Sequence, residues 1–456
     1  VLLDLLQRTA HGRLRHVQRR GRCSDAAFLD HGTKHREFTG VECHNPRTLS
    51  QAIFVLASMN PSASRSFPIV RVSGKPMRVT EIRGHHVGFA PAPAIGNART
   101  MIRRRDFLLL EVVTDTGKSG WGEVFSSPDA AAALIRSRYA QIVIGEAPAR
   151  YRALWENMVA NLGYDRRGPA MMAISALDMA LCDLAAQERG VSVAAMLGGG
   201  LRSEVFAYGS GPFITEGNDP YGHYTDEIER ALKEGYRALK PRAGVSPRAD
   251  GAMLAQVRKL VGPEIGLMVD INQAYTARAA IASARRMEAS DLLWIEEPVG
   301  PEDIAGYAEV AKAVSTAVAG GEALASAGAF REVLLAGSMS VLQPDLTVCG
   351  GYTGFLRIAA LAAAFELPIM PHVFGTIVNH QAALQVASLL PARRGGGPAP
   401  YPYVEVDISG NPLLSLQGAV GPTATGTLEI PDRPGTGLDL DAARLEPWRS
   451  ETWTCR

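Results

Sequence analysis

The chain has 456 residues, enough for two or three domains around a large core, which excludes a peptide-scale or disulfide-stapled scaffold. Its 47 Lys and Arg nearly cancel its 46 Asp and Glu, so no nucleic-acid partner and no anionic membrane surface is expected, and a small molecule is the expected ligand class. Five cysteines (Cys23, Cys43, Cys182, Cys349, Cys455) make an odd count without a C-x-x-C pair, which suits reduced thiols in a cytoplasmic enzyme rather than a secreted framework or a zinc site.

In chain order, residues 1–76 come first, with twelve basic against five acidic residues and five of the ten histidines (His11, His16, His31, His35, His44). They lack sustained hydrophobic periodicity and read as a poorly ordered basic extension upstream of Met77, the expected natural start. The Arg-rich stretch 13–22 has the composition of a transit peptide or nucleic-acid arm, but Asp4, Asp25 and Asp30 flank it, which argues against targeting.

From Arg78 to Val87, and again from Phe107 to Val124, the pattern is strand-like, and turn chemistry at residues 115–120 breaks the second run. Helical spacing follows over Asp129–Gln141 and Pro169–Arg189. Residues 77–198 are therefore expected to form an α+β capping domain. After Gly198-Gly199-Gly200 come short strand candidates, most followed by an Ala- and Leu-rich helical segment: 205–208, 238–240, 266–269, 292–295, 318–320, 340–343, 368–370 and 403–406. Eight such units predict an α/β fold, a (β/α)8 barrel over residues 199–410, with 411–456 returning to the capping domain. The most apolar run, residues 358–365, is closed by Arg357 and Glu366 and falls far short of about 20 apolar residues, so no membrane span is expected.

Asp270, Glu296 and Glu322 each stand just beyond an apolar strand, at a spacing of 26 residues. A single acidic residue there is often only a solvated loop residue. Three at successive strand ends converge at the one mouth of a barrel, where they repel one another unless a hard divalent cation joins them, and open oxygen coordination suits Mg²⁺ better than Zn²⁺. Asp345 and His372 mark two further strand ends, 27 residues apart. A carboxylate on one imidazole nitrogen fixes the tautomer and raises the basicity of the other, making a general base. Lys240 and Arg242 lie at the second strand end. The lysine suits a substrate carboxylate or base chemistry; the guanidinium stays protonated and suits anion binding, electrostatic stabilisation or a plain ion pair.

The ordered set Lys240-x-Arg242, Val269-Asp270-Ile271-Asn272-Gln273, Trp294-Ile295-Glu296-Glu297-Pro298, Gly321-Glu322, Pro344-Asp345 and Pro371-His372 resembles the mandelate racemase subgroup of the enolase superfamily over about residues 78–440. The helix 173–183, followed by Leu197-Gly198, is similar to the signature helix of racemases and muconate lactonizing enzymes. The resemblance implies that Asp270, Glu296 and Glu322 bind Mg²⁺, that Asn272 approaches the substrate α-hydroxyl, that Glu405 bonds the substrate carboxylate, and that His372 with Asp345 is one base. It implies the logic of that superfamily, a Lys or His base with Mg²⁺ stabilising an enediolate. Residues 90–100 and 124–131 would be specificity loops, and a homo-oligomer is expected.

One departure bears on the reaction. Family members that racemise carry Lys at both ends of K-x-K, the second being the opposing base, and Arg242 stands there in this chain. With one competent base, abstraction of the α-proton leads to loss of the β-hydroxyl and a 2-keto-3-deoxy acid. The expectation is therefore a dehydratase (hydro-lyase) of a 2R-hydroxy acid such as a sugar acid. A racemase or epimerase using Lys240, and a non-catalytic binding protein on the same fold, are the alternatives.

Overall fold

The computed structural model describes residues 76–456, so the basic extension expected over residues 1–76 lies, but for its last position, outside the described residues. The capping part is an antiparallel sheet in the order β14-β1-β4-β5, built from β1 (Val79–Phe89), β4 (Arg105–Thr114), β5 (Ser119–Val124) and the C-terminal β14 (Arg449–Cys455). A two-strand insertion, β2 (Ile95–Gly96) and β3 (Met101–Ile102), interrupts the path from β1 to β4. The chain end reaches this sheet because β14 pairs along β1, Ile82 opposite Cys455 and Gly84 opposite Trp453.

The run Phe107–Val112 in β4 is buried on both faces, because helices cover one side of the sheet and the barrel side covers the other. Glycine sets the close approach of the long helix. A Cβ at Gly122 would stand 1.9 Å from the Ala176 carbonyl oxygen, and one at Gly120 2.3 Å from that of Ala180. The helical run expected over 129–141 is split into α1 (Pro128–Leu134), a π-turn (Ile135–Tyr139) and α2 (Ala140–Val143). Next comes α3 (Tyr151–Ala160), which the sequence reading passed over, and then α4 (Pro169–Arg189), which has the bounds expected. By length and apolarity α4 is able to cross a membrane, yet 89% of its apolar window is buried inside the protein. It is the core helix of the cap, longer than the run singled out at 358–365.

A short α5 (Val193–Met196) leads to the parallel sheet. Its strands are β6 (Glu204–Ser210), β7 (Ala238–Lys240), β8 (Gly266–Asp270), β9 (Leu292–Glu296), β10 (Val318–Gly320), β11 (Val341–Leu342) and β12 (Tyr403–Asp407), with β12 closing back onto β6 and β13 (Thr427–Glu429) added antiparallel to β6. Helices α6 (Tyr224–Lys233), α7 (Pro247–Val261), α8 (Ala277–Met287), α9 (Ile304–Ala313), α10 (Ala327–Ala336), α11 (Gly351–Ala364) and α12 (Ile377–Leu389) follow in turn, completing the α/β barrel with its cap.

The seventh strand, expected over 368–370, does not form as a ladder. The segment keeps two isolated bridges, Leu342 with Ile369 and Asp345 with His372. Pro344, Pro368 and Pro371 supply no N–H, so the continuous hydrogen-bond row is lost while the chain direction is kept. Inside the barrel, Tyr208, Met268, Trp294, Met370 and Tyr403 pack as one apolar plug, Tyr208 edge-on to Trp294 at 5.6 Å. The mouth at the opposite, C-terminal ends of the strands is left for polar side chains.

Candidate active site

Strands β8 and β9 end on Asp270 and Glu296, and β10 is followed by Gly321 and Glu322. One carboxylate oxygen from each of the three lies within 4.8 Å of the others. Asp270 and Glu296 are buried, and Glu322 keeps 23% of its side chain exposed, the open edge of the cluster. Crowding acts as charge repulsion demands: burial, partly countered by His372 and reinforced by Asp270 and Glu296, raises Glu322 to about 7. Three hard oxygen donors at this spacing fit a hard divalent cation. Trp294 Nε1 and Gln343 Nε2 both donate to Glu296 Oε2, at 2.9 and 2.6 Å, and leave Oε1 toward the cluster.

Two cations at the end of β7 complete the floor. Lys240, fully buried, bonds Glu296 Oε1 and lies 3.0 Å from Glu405 Oε1 and 3.8 Å from Asp270 Oδ2. Burial alone would lower its pKa, but Glu296, Glu405 and Asp270 together raise it. Arg242 bonds Asp270 Oδ2, donates to Ser210 Oγ at 3.0 Å and stacks its guanidinium 4.7 Å from the Phe213 ring. Both are thus held by carboxylates, and neither is placed as a neutral base.

His372 sits across this floor. Its Nδ1 lies 2.7 Å from Asp345 Oδ2, and since a carboxylate only accepts, Nδ1 carries the proton. Asp345 is fully buried and its other oxygen accepts from Thr347 N and Oγ1 at 2.7 and 2.6 Å. Nε2 therefore faces the cluster, 3.1 Å from Glu322 Oε2 and 3.9 Å from Glu405 Oε2. Burial would lower the imidazole pKa, but Glu322, Glu405 and Asp345 outweigh it and raise it to about 10.

Glu405, in the middle of β12, is fully buried, and although burial opposes ionisation, Lys240, His372 and Arg242 hold its carboxyl well below the usual range. As an ionised group it only accepts, so the side chain able to donate at this point is its partner Lys240. Asn272 donates from its backbone N to Asp270 Oδ1 at 2.8 Å and from Nδ2 to Oδ2 at 3.0 Å. Asn272, Gln273 and Glu297 all have positive φ (47°, 63° and 42°), a concentration of backbone strain at the ends of β8 and β9.

The loop 90–100 reaches the same mouth. Gly96 bridges Ile214, and Arg99 Nη1 donates to Gln273 Oε1 at 2.8 Å, while Gln273 Nε2 donates to Glu297 Oε2 at 2.9 Å. Lys240, Arg242, Asp270, Asn272, Glu296, Glu322, Asp345, His372 and Glu405 thus lie in one bonded cluster. The sequence reading missed the residues that hold them. Trp294 stands two positions before Glu296, on the same face of its strand, and Gln343 directly before Pro344-Asp345, so alternation was an available signal for both.

Comparison with known proteins identifies the family. Residues 81–198 match the family model "Mandelate racemase / muconate lactonizing enzyme, N-terminal domain", and residues 223–444 match "Enolase C-terminal domain-like". The chain is 32% identical over 378 residues to D-galactarolactone cycloisomerase of Agrobacterium fabrum, covering 82% of this chain and 99% of that protein. It is 30% identical over 358 residues to D-gluconate dehydratase of Thermoproteus tenax, covering 75% and 70%. Among solved structures, L-talarate dehydratase from Polaromonas sp. JS666, complexed with Mg and L-glucarate, superposes with a TM-score of 0.72 at 28% identity, covering 83% of this chain and 99% of that one. This chain belongs to the enolase superfamily, in its mandelate racemase subgroup.

Proposed function

We propose that the chain is a Mg²⁺-dependent lyase that removes the α-proton of a 2R-hydroxy acid of the sugar-acid class and expels the β-oxygen, giving a 2-keto-3-deoxy acid. The observation that carries this reading is asymmetry: His372 with Asp345 offers one imidazole nitrogen to the cluster, while Arg242, in the position opposite, is tied to Asp270. The carboxylate triad and the magnesium in the talarate dehydratase structure support the metal.

Asp270, Glu296 and Glu322 would hold Mg²⁺, which supplies positive charge where the substrate carboxylate gains electron density as its α-proton leaves. Lys240 donates to the same carboxylate. His372 Nε2, freed of its proton, takes the α-proton, and Asp345 compensates the imidazolium that forms. The electron pair left on Cα forms a double bond to Cβ, the Cβ–O bond breaks, and His372 returns the proton to the departing oxygen. The enol product then tautomerises to the 2-keto acid.

The likeness to a cycloisomerase favours a second reading on the same residues. If the β-oxygen belongs to a ring instead of a free hydroxyl, the same bond cleavage opens the ring and no water is lost. Incubation with Mg²⁺ and a panel of acid sugars and their lactones separates these. A semicarbazide-reactive product lighter by one water supports dehydration; a keto product of unchanged mass supports cycloisomerisation. Recovery of substrate with inverted configuration and solvent deuterium at Cα would establish a racemase or epimerase instead. Inertness toward the whole panel would favour a binding protein.

A further inference from the structure

The segment from His372 to the start of α12 carries the imidazole, and four side chains from elsewhere in the chain hold its backbone. Val373 N donates to Glu405 Oε2 at 3.2 Å, and Asn411 Nδ2 donates to the Gly375 carbonyl at 2.8 Å. The other two anchors come from the cap. Arg105 Nη2, at the start of β4, donates to the Phe374 carbonyl at 2.6 Å. Glu123, in β5, accepts from Thr376 N at 2.9 Å, from Thr376 Oγ1 at 2.6 Å and from Asn379 N at 3.0 Å.

Glu123 is fully buried and its carboxyl, from another domain, accepts from the first turn of the 13-residue α12, whose N-cap is Thr376; burial, against these donors, raises its pKa to about 7. The fit leaves no slack, since a Cβ at Gly375 would stand 2.2 Å from Glu123 Oε1. The helix turn so fixed also carries Asn379, whose Nδ2 lies 3.4 Å from Asp345 Oδ1. A continuous path of bonded groups therefore runs from the capping sheet to the carboxylate that sets the tautomer of His372.

We propose that Glu123 is a positioning residue for the His372–Asp345 pair, so that docking of the cap on the barrel aligns the base. The inference rests on the reading of His372 as the base. Holding a reacting group within a fraction of an ångström matters because a misplacement of about 1 Å costs on the order of 10²-fold in rate.

The test uses the full chain loaded with Mg²⁺ and labelled with ¹⁵N-histidine. The Nδ1–H resonance of His372 is assigned by its disappearance in His372→Asn. In Glu123→Ala that resonance is expected to broaden or vanish, and in Glu123→Gln, which keeps one acceptor oxygen, to persist shifted. Turnover of the acid found active should fall about 10²-fold in Glu123→Ala with KM and the Mg²⁺ Kd unchanged, and be partly restored in Glu123→Gln. Should Glu123→Ala fail to fold, Thr376→Val, which removes the hydroxyl's bond to Glu123 and the cap bond it accepts from Val378 N, replaces it with the same readouts. A folded variant with an unchanged His372 resonance and unchanged kcat overturns the positioning role. Full turnover by His372→Asn would instead overturn the assignment of the base, and the resonance, which needs no substrate, still decides whether Glu123 orders the pair.

Discussion

Trp294 donates its indole N–H to Glu296 Oε2 at 2.9 Å, from two residues earlier on the same strand, and Gln343 Nε2, just past β11, joins it on that oxygen at 2.6 Å. Two buried donors on one oxygen fix the rotation of the carboxylate, whose pKa burial raises. Hydrogen bonds of this kind to a metal ligand are typically worth about 10–100-fold in metal affinity. Gln343→Leu and Trp294→Phe should each weaken Mg²⁺ binding within that range, measured by titration calorimetry on the folded protein. Wild-type affinity in both would show that the two donors serve packing alone.

Removing the charge of the ligand is a stronger perturbation than removing its support. Glu296→Gln deletes one negative charge from a cluster whose members lie within 4.8 Å, so repulsion among the carboxylates falls while the cation loses a ligand. The expected outcome is loss of turnover and loss of measurable Mg²⁺ binding in a protein that remains folded. Retained turnover would refute the triad.

Much of this site was legible because each charged residue follows a short apolar strand, and strand ends of a barrel share one mouth. Asp270, Glu296, Glu322, Asp345 and His372 all follow that rule. Glu123 does not. It is the last-but-one residue of a cap strand, and its partners Thr376 and Asn379 lie more than 250 positions away, so no local period carries the pairing. The seventh barrel strand was overread for a related reason: apolar residues flank it, but three prolines remove the donors a ladder requires. The apolar character of α4 was underused, since its buried length exceeds that of the run taken as the most apolar.

Cap and barrel are also joined by a buried ion pair, Arg105 Nη1 to Asp407 Oδ2 at 2.5 Å, with the guanidinium 3.8 Å from the centre of the Phe374 ring. Breaking such a pair from one side strands a charge and costs about 3–5 kcal/mol, whereas replacing both partners by apolar groups is often tolerated. Asp407→Asn should lower the melting temperature by several degrees, and the double substitution Arg105→Met with Asp407→Leu should lower it less. The reverse order would mean that the cap does not depend on this pair.

Asp178, fully buried in α4, accepts from Thr353 N at 2.9 Å and Thr353 Oγ1 at 2.7 Å. Burial nevertheless raises its pKa to about 7, against the opposing effect of those donors. A carboxyl whose folded pKa lies above its unfolded value binds its proton more tightly when folded. Its stabilising contribution is present below the unfolded pKa and is lost as pH rises through about 7. Asp178→Asn, which keeps an acceptor for Thr353 N and offers its amide to the Thr353 hydroxyl, removes this dependence. Relative to the wild type it should gain about 2–4 kcal/mol between pH 4 and 8, read from urea unfolding at several pH values. A difference between the two proteins that does not change with pH would show that Asp178 is ionised throughout.

The two faces of the substrate would meet different groups. His372 presents Nε2 to the carboxylate cluster, while Arg242 is bonded to Asp270 and Ser210, and a guanidinium does not give up its proton near neutral pH. Exchange of the α-proton with solvent should therefore occur from one side only. In D₂O the wild-type enzyme should label the 2R substrate and leave its 2S counterpart unlabelled, and His372→Asn should abolish both labelling and turnover. Arg242→Lys places a titratable amine opposite the histidine, and some labelling of the 2S acid is expected there, with slower turnover because the lysine loses the second bond that Arg242 makes to Ser210. Labelling of both configurations by the wild type would mean that a second base acts, with Lys240 the nearest amine, and the single-base elimination would have to be abandoned for an epimerisation.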